Sequence, residues 1–141
     1  MKKMNNKGFS LVELIIVIAI MAILIAVLAP QYLRYVERSR LQSDNSAVGE
    51  VANAVKVAAA NDNVNTDIGT SCTVDVASVS SGVTSLDAEI QAVCGTAVVF
   101  RSNTYGTSTP TLNVTVTGGV VEVQSTDYID EVGGTAITRQ F

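Results

Sequence analysis

Hydrophobic and polar positions divide the chain into three patterns. From Leu14 to Ala29, sixteen consecutive residues are apolar on every face. Phe9–Ala29 as a helix would span about 32 Å at 1.5 Å per residue, enough to cross a hydrocarbon core. From Gln31 the pattern becomes one-sided. Leu33, Val36, Val48, Val51, Val55 and Ala58 fall on a helical stripe, with Arg34, Glu37, Arg38, Arg40, Asp44, Glu50 and Lys56 on other faces. This predicts an amphipathic helix over 31–60, stopped by Asn61-Asp62-Asn63. Pro30 removes a backbone donor and disfavours a straight ladder, so the helix break expected there is either an unwound stretch near Ala26–Pro30 or a kink without melting. Ser43–Gly49, weak in helix formers, predicts a bend.

Beyond Asn61 the pattern turns strand-like. Ala97–Arg101 is a short β-prone run. Leu112–Thr117 alternates at period two, Gly118-Gly119 signals a two-residue hairpin turn, and Val120–Gln124 reads as the return strand. Ala136–Phe141 supplies a fourth strand. Thr84–Val93 reads as a short helix capped by Thr84, with Asp87 three residues on. The valine and alanine stripe of the long helix needs a cover, and the strands are the only large candidate. The expected fold class is α+β, with the apolar half of the helix protruding and its amphipathic half packed on a small antiparallel sheet.

Composition sharpens the division. Apolar residues make up 48% of the 141 residues and mean hydropathy is +0.35, high for one soluble domain. Lys2, Lys3 and Lys7 precede the apolar run with no acid among them, which places the N-terminus on the cytoplasmic side of a membrane. Without residues 1–8, six basic residues face thirteen acidic ones, a net charge of −7. Such a body is a poor match for phosphate backbones, so direct nucleic-acid binding is not expected. Cys72 and Cys94 lie in the polar half, as a disulfide if that half is extracytoplasmic or otherwise as two buried thiols. With no histidine, no nucleophile motif and no paired acids in a recognisable setting, an enzyme and a resident cofactor are not expected.

Glu13 is the anomaly, because a charge at the centre of a membrane helix costs roughly 2.5–3.5 kcal/mol on insertion scales. A cleaved secretory signal leaves that acid without a task, and its apolar stretch is too long. A simple anchor explains topology only. An ionisable residue in such a span calls for a partner.

The segment KGFSLVELIIVIAIMAILIAVLAP, residues 7–30, resembles the class III signal of a type IV prepilin. The resemblance implies cleavage by the prepilin peptidase between Gly8 and Phe9, removal of a 1–8 leader, and methylation of the new Phe9 amine. Residues 9–30 would then form the membrane and filament-core helix, and residues 31–141 the head. Glu13 matches the family's glutamate, whose carboxylate can neutralise the Phe9 amine of a neighbouring copy and so mark register. The family often carries a glycine eight residues before the proline; here Ala22 stands there, which leaves the extent of unwinding near Pro30 open.

The function expected from the resemblance is a structural subunit, a major pilin, of a type IV pilus. The subunit would wait in the inner membrane, then polymerise with copies of itself through an assembly platform and an ATPase motor into an extracellular filament. Adhesion, twitching motility and DNA uptake are all roles of that family. The alternatives are a major pseudopilin of a type II secretion system and a membrane-anchored binding module. Asp127, Asp130 and Glu131 are a weak calcium candidate by analogy with major pseudopilins; their spacing lacks a recognised loop signature and fits a solvated turn better. Arg34, Glu37, Arg38 and Arg40 read as either contacts to neighbouring subunits or a solvated face.

Overall fold

The computed structural model describes residues 8–106, 108–132 and 134–141. Lys2, Lys3, Lys7 and the rest of the expected leader before Gly8 lie outside them. The chain divides into two compact units, with the boundary between Val36 and Glu37. Helix α1 (Leu11–Ala59, 49 residues) contributes to both.

In the N-terminal unit, α1 is apolar all round, and its 18-residue window of highest mean hydropathy (3.3) is 0% buried within the chain. Pro30 lies inside the helix without ending it, so α1 runs on past it in the single chain. A proline deletes one donor and crowds one carbonyl, here that of Ala26, and a long helix with ladders on both sides can absorb that loss. Leu33, expected on the core stripe, is 67% exposed, and Leu41 is the first buried residue of α1.

In the second unit, α1 is followed by α2 (Asp62–Ile68), β1 (Ser71–Asp75), α3 (Thr84–Cys94), β2 (Thr111–Thr117), β3 (Val120–Tyr128) and β4 (Ile137–Gln140). The four strands form one antiparallel sheet in sequence order. Val48, Val51, Val55 and Ala58 of α1 pack with Val74, Leu112, Val114 and Val123 from the sheet and with Leu86 and Ile90 of α3 in one core. The α+β class is therefore as expected, and the stripe from Val48 onward is the face that the sheet covers. The hairpin turn lies at Gly118-Gly119, with φ of 60° and 83°. Both angles are left-handed, as a two-residue type I′ turn requires. β4 is fixed by Arg139, whose guanidinium donates to the Tyr128 hydroxyl at 2.5 Å and lies 4.5 Å from the centroid of that ring.

Two local readings are corrected. Ala97–Arg101 is not a strand. Val98 N–H donates to the Ala77 carbonyl and Arg101 N–H to the Asp44 carboxylate, so these donors go to scattered acceptors instead of a ladder. Thr84 is not the cap of α3; Val83 holds that position and makes no side-chain capping bond. Asp87 instead reaches back to the preceding turn, accepting from Ser81 N–H and Ser81 Oγ, both at 2.6 Å, and from Ser80 Oγ at 3.2 Å. Through Ser43–Gly49, where a bend was expected, α1 stays helical. Asp44 and Asn45 there are buried and bonded to the loop beyond α3, and those contacts outweigh poor propensity.

Burial alone would raise the Asp87 carboxyl, but the hydrogen bonds from Ser81, Ser80 and the Gly82 backbone bring it below its ordinary value of 3.8. A folded-state value below the unfolded one adds stability above about pH 4, lost as pH falls through the folded value. Asp87→Asn should therefore cost about 1 kcal/mol at neutral pH and flatten the acid limb of the stability curve. Thermal melts between pH 6 and 2.5 check this; parallel wild-type and variant curves would refute it.

Candidate functional site

The segment around the expected cleavage point has a defined local geometry. Gly8, Phe9 and Ser10 are non-helical and exposed, Phe9 by 89%. α1 begins immediately after them through a reciprocal cap. The Val12 N–H donates to Ser10 Oγ at 3.3 Å, and the Ser10 N–H donates to Glu13 Oε2 at 3.0 Å. The Leu14 N–H to Ser10 carbonyl bond, at 3.3 Å, starts the helical ladder. This is a Ser-x-x-Glu capping box, which satisfies orphan donors at the helix start and places a carboxylate at the positive end of the helix dipole. Glu13 is thus not bare in the isolated chain. The sequence reading looked only for a second copy to satisfy the acid and missed the Ser10–Glu13 spacing, which was visible three residues apart.

The other expected site residues fall elsewhere. Cys72 on β1 and Cys94 at the end of α3 are free thiols in this structure, where a disulfide was one expectation. Both pack against the core. Burial, then the charge of Asp87, pushes the Cys72 thiol up, and burial, then Glu50, does the same for Cys94. Cys72 thus feels Asp87 in the first turn of α3, while Cys94 lies seven residues, about 10 Å, further along that helix. The calcium candidates do not form one cage. Asp127 accepts from Thr111 Oγ1 at 3.2 Å and from Thr126 Oγ1 at 3.4 Å. Asp130 and Glu131 instead line a cavity of about 270 Å³ with Arg38, Leu41, Gln42 and Val132. Among the described residues no group of three His, Cys, Asp or Glu side chains is placed to hold a metal ion.

A second polar constellation was not foreseen. Asp44, 2% exposed, accepts from Arg101 N–H at 3.0 Å and from Ser102 N–H at 2.8 Å. Two turns earlier on α1, Glu37 Oε1 accepts from Asn103 N–H at 2.5 Å and Thr104 N–H at 3.1 Å. Asn45 donates to the Ile129 carbonyl at 2.9 Å and accepts from the Tyr105 hydroxyl at 2.7 Å. Three α1 side chains, Glu37, Asp44 and Asn45, therefore clamp the 101–105 loop and the end of β3. Of the charges read from sequence as a surface group, Glu37 is an intrachain clamp.

Comparison with known proteins bears on the N-terminal segment. Residues 3–29 match the family model described as the prokaryotic N-terminal methylation motif. The chain is also similar, over part of its length, to type IV major fimbrial proteins. The type IV major fimbrial protein FimA of Dichelobacter nodosus is 43% identical over 54 residues, 38% of this chain and 35% of that protein. The fimbrial protein EcpC of Eikenella corrodens is 46% identical over 55 residues, 39% of this chain and 36% of that protein. The chain thus spans about a third of the length of the curated relatives it matches. No solved structure gives a significant match. These likenesses agree with the resemblance carried by residues 7–30, and the sheet-bearing unit adds an α+β head of the expected class.

Proposed function

We propose that the chain is a structural subunit of a type IV pilus, with Gly8–Phe9 as the processing point and the apolar half of α1 as the polymerising element. The observation that carries this reading is the methylation motif over residues 3–29, placed on a helix whose cap starts one residue after Phe9. A peptidase needs an accessible, non-helical bond, and Gly8–Phe9 meets that need in the described chain. Removing residues 1–8 by prepilin peptidase exposes the Phe9 amine for methylation. Residues 9–30 hold the subunit in the cytoplasmic membrane until it joins an extracellular homopolymer, with residues 31–141 as the head. Glu13 then serves twice, capping its own helix before assembly and meeting the Phe9 amine of a neighbour afterwards.

N-terminal sequencing and mass determination of filaments sheared from cells test the proposal. A methylated Phe9 start supports it; an intact Met1 start in extracellular polymer refutes the processing step. Gly8→Ala should leave more than about nine-tenths of the chain as uncut membrane precursor, read by immunoblot, since the cut requires backbone approach at a residue without Cβ. Wild-type processing of that variant would place the cleavage elsewhere.

A further inference from the structure

Past the apolar run, α1 carries a surface that nothing in its own unit covers. Tyr32, Leu33 and Tyr35 are 67%, 67% and 68% exposed, with Arg34 exposed among them. Charge is unevenly placed around this band. Arg34, Arg38 and Arg40 against Glu37 leave residues 31–40 at net +2, whereas residues 41–141 hold three basic against eleven acidic side chains, net −8. In the second unit, the cavity lined by Arg38, Leu41, Gln42, Asp130, Glu131 and Val132 has an apolar side, an amide, one cation and two carboxylates. Its net charge of −1 is what a single added cation neutralises.

Register joins the two surfaces. A neighbour's Phe9 amine beside Glu13 requires the two copies to be displaced by four residues along the helix, roughly 6 Å. A filament with screw symmetry shifts every residue by the same axial amount. The displacement that brings Phe9 of one copy level with Glu13 of the next also brings Arg34 of the first level with Arg38 of the second, at the cavity. Two separate charge pairings thus ask for the same stagger.

We propose that Arg34 of one copy docks into the cavity lined by Arg38, Gln42, Asp130 and Glu131 of a second copy. Leu33 and Tyr35, which flank Arg34 around the helix, lie against the exposed Val132 of its rim. The proposal rests on the pilus reading and adds to it a head-proximal contact that the apolar rod does not supply. Asp130 and Glu131 thereby have a task as the acceptor of a guanidinium from outside the chain, a better match to one side chain's reach than to a metal's six to eight ligands. Complementary charge of this kind also discriminates against wrong registers, because a copy shifted further along the helix takes Arg34 out of reach of Asp130 and Glu131.

The test uses full-length chain assembled in cells, with sheared filament yield as readout. Arg34→Glu is expected to lower yield at least tenfold, as is Glu131→Arg, while both variants remain processed and membrane-inserted. The double variant, Arg34→Glu with Glu131→Arg, should recover to within about threefold of wild type. In Arg34→Lys filaments, a zero-length carbodiimide should give a covalent dimer whose linked peptide joins position 34 to Asp130 or Glu131. Unchanged yield in either single variant, a double variant no better than the worse single, or dimers linked elsewhere would each overturn the contact. If wild-type chain is processed at Phe9 yet forms no filament at all, the pilus reading itself fails and takes this contact with it. Wild-type filaments with indifferent variants remove the contact alone.

Discussion

Glu13→Val should be inserted and processed normally yet give filaments at about one-hundredth of the wild-type yield or less. The substitution makes the membrane helix more apolar, so insertion is not impaired. What it removes is the acceptor for a neighbour's Phe9 amine in a water-free rod. Breaking a buried pair by deleting one partner costs about 3–5 kcal/mol, and each 1.4 kcal/mol is a tenfold change in an association constant. The structure supplies a control. Because Glu13 also accepts the Ser10 N–H at 3.0 Å, the variant loses that half of the helix cap as well. Ser10→Ala loses one half of that cap alone, at about 1 kcal/mol, and should reduce yield fivefold or less. Wild-type filament levels from Glu13→Val would remove the pairing. Equal defects in the two variants would assign the acid to capping only.

The capping box changes how an acid in an apolar helix is understood. A carboxylate at the third helical position faces unsatisfied backbone donors and the positive end of the dipole. Its cost in the isolated subunit is therefore lower than that of an acid in mid-span. A register mark can be carried in the membrane without a partner if it has a local hydrogen bond to exchange when the partner arrives. This places the charge one turn from the new N-terminus for two reasons at once: the cap requires it there, and so does the amine of a copy displaced by four residues.

What could be read from sequence followed the strength of local patterns. The sixteen-residue apolar run, the Gly118-Gly119 hairpin and the helix before Cys94 each depend on neighbours in sequence, and each is present. β1 was missed because Ser71-Cys72-Thr73-Val74-Asp75 carries one fully buried residue, Val74. Its pairing partner lies some forty residues away on β2. α2 was missed because Asn61-Asp62-Asn63 reads as a stop. Asn61 does end α1, but its side chain accepts from Asn63 N–H and caps a new helix, with Val64 and Ile68 buried four residues apart. Ala97–Arg101 has strand composition without a strand partner, since its position is fixed by an acid on α1. Glu37 and Asp44 could not be told from ordinary surface charges. Their partners are backbone donors 57–67 residues later, and no spacing rule connects them.

That clamp gives the second large effect, Asp44→Ala. Asp44 is almost fully buried and its two oxygens hold the N–H groups of Arg101 and Ser102. A methyl group in its place leaves two inward-facing backbone donors without an acceptor, at about 1–3 kcal/mol each. Roughly 3–5 kcal/mol of head stability should be lost. At about 4–8 °C per kcal/mol for a domain of this size, the melting temperature should fall by at least about 12 °C. Circular dichroism melts of detergent-solubilised full chain, where the unit from Glu37 onward supplies the cooperative transition, measure it. Asp44→Asn keeps one acceptor oxygen and should fall between the two. Glu37→Ala removes the neighbouring acceptor, but its partners at Asn103 and Thr104 are nearer solvent. Water can replace the lost carboxylate there, so the fall should stay within about 5 °C. If Asp44→Ala melts within 3 °C of wild type, or if Glu37→Ala is the more damaging of the two, burial is not what gives the clamp its strength and the loop must be held by other contacts.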